Sequence, residues 1–359
     1  MIPKTRIVNL PVYEPGKPIE DVKRELGLTE VIKLASNENP FGCSPRVKET
    51  IVSQLDNLPI YPDGACLELR SALASFLNVK EEELIFGNGS DEIVMLLARA
   101  YLEPGTNTIM AAPTFVVYKT NATIEGAEVI EVPCVEGKHD LNGMLAKVNE
   151  NTRVVWVCNP NNPTGTIVTE EELIRFLDQV PEHVLVVLDE AYVEYVKDDA
   201  FPRSLELLRK YKNLIILRTF SKIYGLAALR VGYGIAAEEI IDKLNRVREP
   251  FNVNHLGQKA ALAALADQEF VARCKAANME GLEQVYAGLD EIGVPYYRSE
   301  TNFVYAIVER DTKEVFQEML KQGVIIRAFP QAIRVTIGSK EQNEKMLAAL
   351  KAVLAPAKQ

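Results

Sequence analysis

Four short stretches of this 359-residue chain carry side chains suited to chemistry, each just after an apolar run ends. In RTFSKIYGLAALRVGYG (218–234) the run Leu214 to Leu217 gives way to hydroxylated, aromatic and cationic residues around one lysine, Lys222. By itself the stretch reads as a strand end with a solvated lysine, since lysine is rarely buried. The alternative is a lysine used for covalent chemistry on a carbonyl group. DEAY (189–192) presents Asp189 after Val184 to Leu188, NPNNPTG (159–165) presents Asn162 after Val154 to Val157, and GNGSDE (87–92) follows Leu84 to Phe86.

The glycines of GNGSDE invite a dinucleotide reading, but G-x-G-x-x-G needs glycine where this chain has Glu92. Neither a G-x-x-x-x-G-K-[ST] loop nor a G-x-S-x-G elbow is present, so P-loop and α/β-hydrolase chemistry lack their usual signatures. The N–H groups of Gly89, Ser90 and Asp91 can still face a phosphate at the start of the helix patterned by Ile93, Leu96, Leu97 and Ala100. Equally, Ser90 can cap that helix while Asp91 and Glu92 complement its dipole. A reactive lysine, a buried carboxylate and a phosphate cup together suit pyridoxal 5′-phosphate (PLP). Asp189 is the group for the ring nitrogen: beside that cation it stays ionised and keeps the ring protonated, ready to accept a carbanion's electrons.

The elements that must bring these groups together are βα units. Short apolar runs alternate with helical patterns through the middle of the chain, as in a largely parallel sheet. Thr169 and Glu172 form a capping-box pattern opening a helix to about Val180, with Leu173, Phe176 and Leu177 on one face. Ligands bind at the carboxyl edge of such sheets, so Asn162, Asp189 and Lys222 are expected in one crevice. Pro250 stops the helical pattern of Ile240, Ile241, Leu244 and Val247. Beyond it, long helical stretches and the strand candidates 302–308, 324–328 and 333–337 suggest a smaller α+β lobe joined by the N-terminal arm. The expected division is 1–30 arm, 31–250 large domain and 251–359 small domain.

Composition narrows the partners. Net charge is −10, from 40 Lys+Arg and 50 Asp+Glu, without a basic run to track a nucleic-acid backbone. No nucleic-acid partner is expected. No apolar run approaches the ~18 residues of a membrane span, and the N-terminus lacks a signal-like apolar core, so no membrane partner is expected either. Five scattered cysteines without a C-x-x-C pair argue against a disulfide framework or thiolate zinc site and fit a reducing cytoplasm. His139, His183 and His255 lie far apart without metal-ligand spacing, and no metal is expected.

SNENPFG (36–42), YPD (61–63), GNGSDE, PTF (113–115), NPNNPTG, DEAY, RTFSKIYGLAALRVGY, EPFNVN (249–254), TNF (301–303) and RVTIG (334–338) resemble, in order and over nearly the whole chain, the histidinol-phosphate aminotransferase family. One departure is Ala228, where the family often has glycine. The resemblance implies a fold-type I PLP-transferase: a large domain with a mostly parallel seven-stranded sheet plus a smaller α+β domain. It implies that Lys222 holds PLP covalently and moves the proton at the substrate Cα, with Arg230 helping to lower its pKa. Arg230, Ser221, Thr219 and the backbone of Gly89, Ser90 and Asp91 are implied to anchor the cofactor phosphate. Tyr192 and Asn162 are implied to bond the ring's phenolic oxygen, and Phe115 to stack on the ring.

The same resemblance implies a cytoplasmic homodimer in which Tyr61 reaches the phosphate of the neighbouring subunit's cofactor. Arg334 is the implied anion-binding residue for the substrate, since a planar guanidinium serves carboxylate and phosphate alike; Arg327, Tyr13 and Asn37 complete the expected pocket. The implied reaction is transamination between histidinol phosphate and 2-oxoglutarate, giving imidazole-acetol phosphate and glutamate in histidine biosynthesis. Its rivals are an aromatic amino-acid aminotransferase, as alternative or second activity, a threonine-phosphate decarboxylase, and a non-catalytic PLP-binding regulator.

Overall fold

The central strand Leu185–Asp189 is buried along its whole length, which explains why its sequence is an unbroken apolar run and not an alternating one. In this computed structural model, which describes residues 2–12 and 17–355, that strand lies in the middle of a seven-stranded sheet. The spatial order is Leu84–Gly87, Gly232–Ala236, Leu214–Thr219, Leu185–Asp189, Thr152–Cys158, Asn107–Ala112 and Glu128–Pro133. All pairs are parallel except those made by Gly232–Ala236, which runs antiparallel to both neighbours. Apolar side chains cover both faces: Val155, Val186 and Ile216 belong to one core, Trp156, Val187 and Ile215 to the other.

Local signals set the helix starts. Thr169 caps Glu170–Leu177 in a reciprocal capping box with Glu172, and Ser339 does the same with Gln342 for Lys340–Leu354. The helix Ser90–Tyr101 is different. Gly89 occupies its cap position, with no side-chain cap bond, so Ser90 is the first helical residue and not the cap.

A second, antiparallel sheet orders Arg327–Phe329, Ala332–Thr336 and Phe303–Ile307. The apolar run at 324–328 is not one strand. Val324–Ile325 pairs in parallel with Ile32–Lys33, while Arg327–Phe329 turns to pair with Ala332–Thr336. A core of Leu34, Val285, Val304, Ile333 and Leu350 fills this lobe. The N-terminal helix Ile19–Leu26 rests on it through Val22, which packs with Leu320 and Ile325.

The helices past Pro250 divide between the two cores. His255–Leu265 and the start of Gln268–Ile292 bury Ala260, Phe270 and Cys274 in the large-sheet core, whereas the later turns bury Leu282, Val285 and Leu289 in the other. Among the described residues, no helix is long and apolar enough to cross a membrane.

Candidate active site

The carboxyl edge of the large sheet opens into a cavity of about 550 Å³. Asp189 and Thr219 are the last residues of their strands, and Cys158 pairs with Asp189 in register at the same edge. The loops leaving these strands deliver Asn162, Tyr192, Ser221 and Lys222 into the same cavity, as the edge rule requires.

Lys222 points its Nζ at the Ser36 carbonyl oxygen, 3.4 Å away, and lies 5.6 Å from the Tyr192 ring centre. Burial lowers its pKa to about 8, and the Arg334 guanidinium adds to the effect. Arg230, expected to help in the lowering, contributes less than burial and Arg334, and Asp91, 3.2 Å from Arg230, acts in the opposite direction. Asp189 is pushed the other way: burial raises its pKa to about 6, opposed by a hydrogen bond from Tyr118 and one from the Ala191 N–H. The Tyr192 hydroxyl accepts from Asn37 Nδ2 at 2.8 Å, which fixes its position. Asn37 is itself held by Thr336 Oγ1, which accepts from its backbone N–H and donates to its Oδ1.

An anion cup lies on the large-sheet side. Arg230 donates to Ser221 Oγ at 3.3 Å and to the Asp91 carboxylate, while Ser90 and Asp91 bring the uncapped helix start to the cavity wall. Gly89 is required here: φ is +80°, and a Cβ would sit 2.5 Å from Arg230 Nη2. Thr219 lines the cavity, but its hydroxyl serves the backbone, accepting from Ser221 N–H and donating to Val231 O.

The small sheet supplies a second cationic wall. Arg327 and Arg334 stand directly opposite each other on antiparallel strands, and both line the cavity. Arg334 is 7% exposed, lies over the rings of Phe303 and Phe329, and donates to Ala35 O at 2.7 Å and to Asn162 Oδ1. Phe115 lines the cavity with its ring edge-on to Tyr118.

Tyr61, expected to serve the neighbouring subunit's cofactor, lies apart from this chain's cavity. It is 79% exposed and stacks on Phe251, 4.9 Å between ring centres. Tyr13 lies outside the described residues. Conversely, Tyr118, Cys158 and Phe329 belong to the site without having been singled out from sequence. Cys158 could have been found by the strand-end rule that found Asp189; Tyr118 and Phe329 carried no local signal separating them from core aromatics.

The chain matches the family described as aminotransferase class I and II over residues 29–350. It is 60% identical to the histidinol-phosphate aminotransferase of Brevibacillus brevis over 359 residues, covering 99% of both chains. It is 56% identical to the histidinol-phosphate aminotransferase of a Geobacillus strain, covering 98% of both. Its fold superposes on the crystal structure of histidinol-phosphate aminotransferase from Sinorhizobium meliloti in complex with pyridoxal 5′-phosphate, with a TM-score of 0.89 and 28% identity over 97% of this chain and 96% of that one. The chain therefore belongs to the class I and II aminotransferases, in their histidinol-phosphate aminotransferase branch.

The residues present fit PLP. A buried amine of lowered pKa, a buried carboxylate, and a helix start beside an arginine and a glycine that leaves room for it form one cavity wall. These match the carbonyl, ring nitrogen and phosphate of that cofactor.

Proposed function

We propose that the chain is a PLP-dependent transaminase that exchanges the amino group between histidinol phosphate and 2-oxoglutarate. The observation that carries this reading is that one cavity holds Lys222 and Asp189 together with two separate cationic groups, Arg230 on the large sheet and the Arg327–Arg334 pair on the small one. One cation suits the cofactor phosphate and leaves the pair for the substrate's anion. PLP, when bound, supplies a carbonyl that condenses with amines and a ring that takes up the electron pair released at Cα.

This chain's residues supply the rest. Arg230, Ser221 and the helix start at Ser90 and Asp91 would hold the cofactor phosphate, Tyr192 and Asn162 the phenolic oxygen, and Phe115 would wall the ring. Asp189 keeps a proton on the ring nitrogen. Lys222 Nζ anchors the cofactor and, once released, takes the proton from the substrate Cα; a pKa near 8 leaves a neutral amine available at physiological pH. Arg334 meets the phosphate of one substrate and a carboxylate of the other, with Arg327 and Asn37 beside it. The Phe329 ring against Arg334 also favours a flat side chain, which supports an aromatic amino acid as a second substrate.

The same reading gives two domains, with Ile32–Lys33 paired to Val324–Ile325, Asn37 held by Thr336 of the small sheet, Thr5–Ile7 lying against the large-domain helix Val117–Glu125, and the helix Gln268–Ile292 spanning both cores. It gives a homodimer as well. Leu55, Leu58, Ile60, Tyr61 and Phe251 are exposed, an apolar stretch suited to a second copy of the chain, against which Tyr61 would serve the partner's cofactor. Five free thiols fit a reducing cytoplasm.

The test is to compare kcat/KM for histidinol phosphate, tyrosine, phenylalanine and threonine phosphate, following keto product and CO2. Preference for histidinol phosphate with keto product supports the reading. Preference for an aromatic amino acid, or CO2 from threonine phosphate, replaces it.

A further inference from the structure

Asp189 does not stand alone under the cavity. The Tyr118 hydroxyl donates to its Oδ2 at 2.5 Å, and Tyr118 is fully buried. The tyrosine comes from the helix Val117–Glu125, not from the strand that carries Asp189. Its ring is held from two sides. It stacks on Trp156 with ring centres 4.7 Å apart and planes 12° apart, and it meets the Phe115 ring edge-on at 5.5 Å. Trp156 is pinned in turn: its Nε1 donates to Thr108 Oγ1 at 2.7 Å, and that hydroxyl donates to Val154 O at 2.8 Å. The phenol's strong partner is Asp189 Oδ2, and the Cys158 thiol, a much weaker acceptor, is its other polar neighbour.

The consequence is electrostatic. Buried carboxylates are costly unless donors satisfy them, and a donor to the charged form favours ionisation. Asp189 has two such donors, Tyr118 on Oδ2 and the more distant Ala191 N–H on Oδ1 at 3.2 Å. Burial keeps Tyr118 itself protonated, its pKa well above the ordinary value, so toward the Asp189 carboxylate it is the donor. A carboxylate held this way is a weaker base, so a proton shared with the cofactor's ring nitrogen stays on the nitrogen.

Resting on the PLP reading above, we propose that Tyr118 is a positioning residue that acts through Asp189: its hydroxyl keeps that carboxylate charged and aimed, and so sets how strongly the protein holds the protonated cofactor ring. Tyr118 also backs Phe115, so one side chain supports two of the cofactor's contacts.

The test separates charge from shape. Tyr118→Phe keeps the ring and both aromatic contacts and removes only the hydroxyl. Apoenzyme of the wild type and the variant is titrated by equilibrium dialysis with PLP and with the carbocyclic analogue in which CH replaces the ring nitrogen. The analogue carries no ring charge for Asp189 to hold. The variant should bind PLP on the order of tenfold to a hundredfold more weakly, the range for a hydrogen bond to a charged group, and bind the analogue as the wild type does. Equal weakening for both ligands, or no weakening for PLP, overturns the proposal. Asp189→Asn provides a second background: with the charge gone, adding Tyr118→Phe should cost little further PLP affinity, whereas a full additional loss would mean a packing defect and overturn it. Wild-type protein that takes up no PLP at Lys222 would remove the cofactor reading itself and this inference with it; wild-type uptake with an indifferent Tyr118 variant removes the inference alone.

Discussion

Arg334 and Asn162, 172 residues apart in sequence, are joined by a hydrogen bond from Arg334 Nη1 to Asn162 Oδ1 across the mouth between the small sheet and the large one. The guanidinium's Nη2 is anchored on Ala35 O, so its plane is set by both lobes before any substrate arrives. A preset planar fork recognises phosphate and carboxylate; a lysine at the same place is a point charge that cannot make these bonds together. Arg334→Lys should therefore raise KM for histidinol phosphate and for 2-oxoglutarate, each by roughly 10- to 100-fold, corresponding to about 1.5–3 kcal/mol for a charged hydrogen bond. Steady-state kinetics with both substrates check this. An effect on one substrate alone would mean that the two anions do not share Arg334.

Cofactor capture should depend on pH through Lys222. Burial lowers its pKa to about 8 in the apo site, and only the neutral amine attacks a carbonyl. The rate of PLP uptake by apoenzyme should rise as pH increases through about 8 and level off above it. Stopped-flow absorbance between pH 6 and 10 reads this directly. A midpoint near the ordinary lysine value would show that the buried site does not depress the amine.

Affinity for PLP has its own acid limit at Asp189, whose pKa burial raises to about 6 while Tyr118 opposes the rise. Below that pH the carboxyl is protonated and cannot pair with a ring cation, so equilibrium binding should weaken as pH falls through about 6. Asp189→Ala should lose several orders of magnitude in kcat. Near-wild-type turnover in that variant would remove the ring-nitrogen pairing.

The proposed dimer has a mixing test. If Tyr61 serves the partner's cofactor, Tyr61→Phe and Lys222→Ala lesions on different chains fall into one of the two sites and leave the other intact. Refolding the two variants together should restore activity and PLP retention at limiting cofactor. Heterodimers that form without recovery would make Tyr61 a structural residue whose stacking on Phe251 is its whole role.

Much of this site was legible because parallel strands announce themselves and their ends are where ligands bind. Asp189, Asn162 and Lys222 each follow an apolar run that is a strand of the sheet, and the cavity collects all three. What sequence could not supply were contacts between elements distant in the chain. Tyr118 reaches Asp189 across 71 residues, and Asn37 reaches Tyr192 across 155. The break at Ile326 was hidden for a related reason, since an apolar run does not say that its two halves pair with different strands. GNGSDE left two readings open, and the backbone removes one part of the second: Gly89 at φ +80° takes the cap position, so Ser90 is not the cap, while Asp91 and Glu92 stay in the first turn.

The role proposed for Lys222 is to hold the cofactor. Purified protein loaded with PLP should absorb visible light, and borohydride reduction followed by peptide mapping should place the cofactor on one peptide, containing Lys222. Lys222→Ala should bind PLP slowly without becoming labelled and should have no measurable turnover. A reduced adduct on any other lysine, or a Lys222→Ala protein that still turns over, would contradict the account.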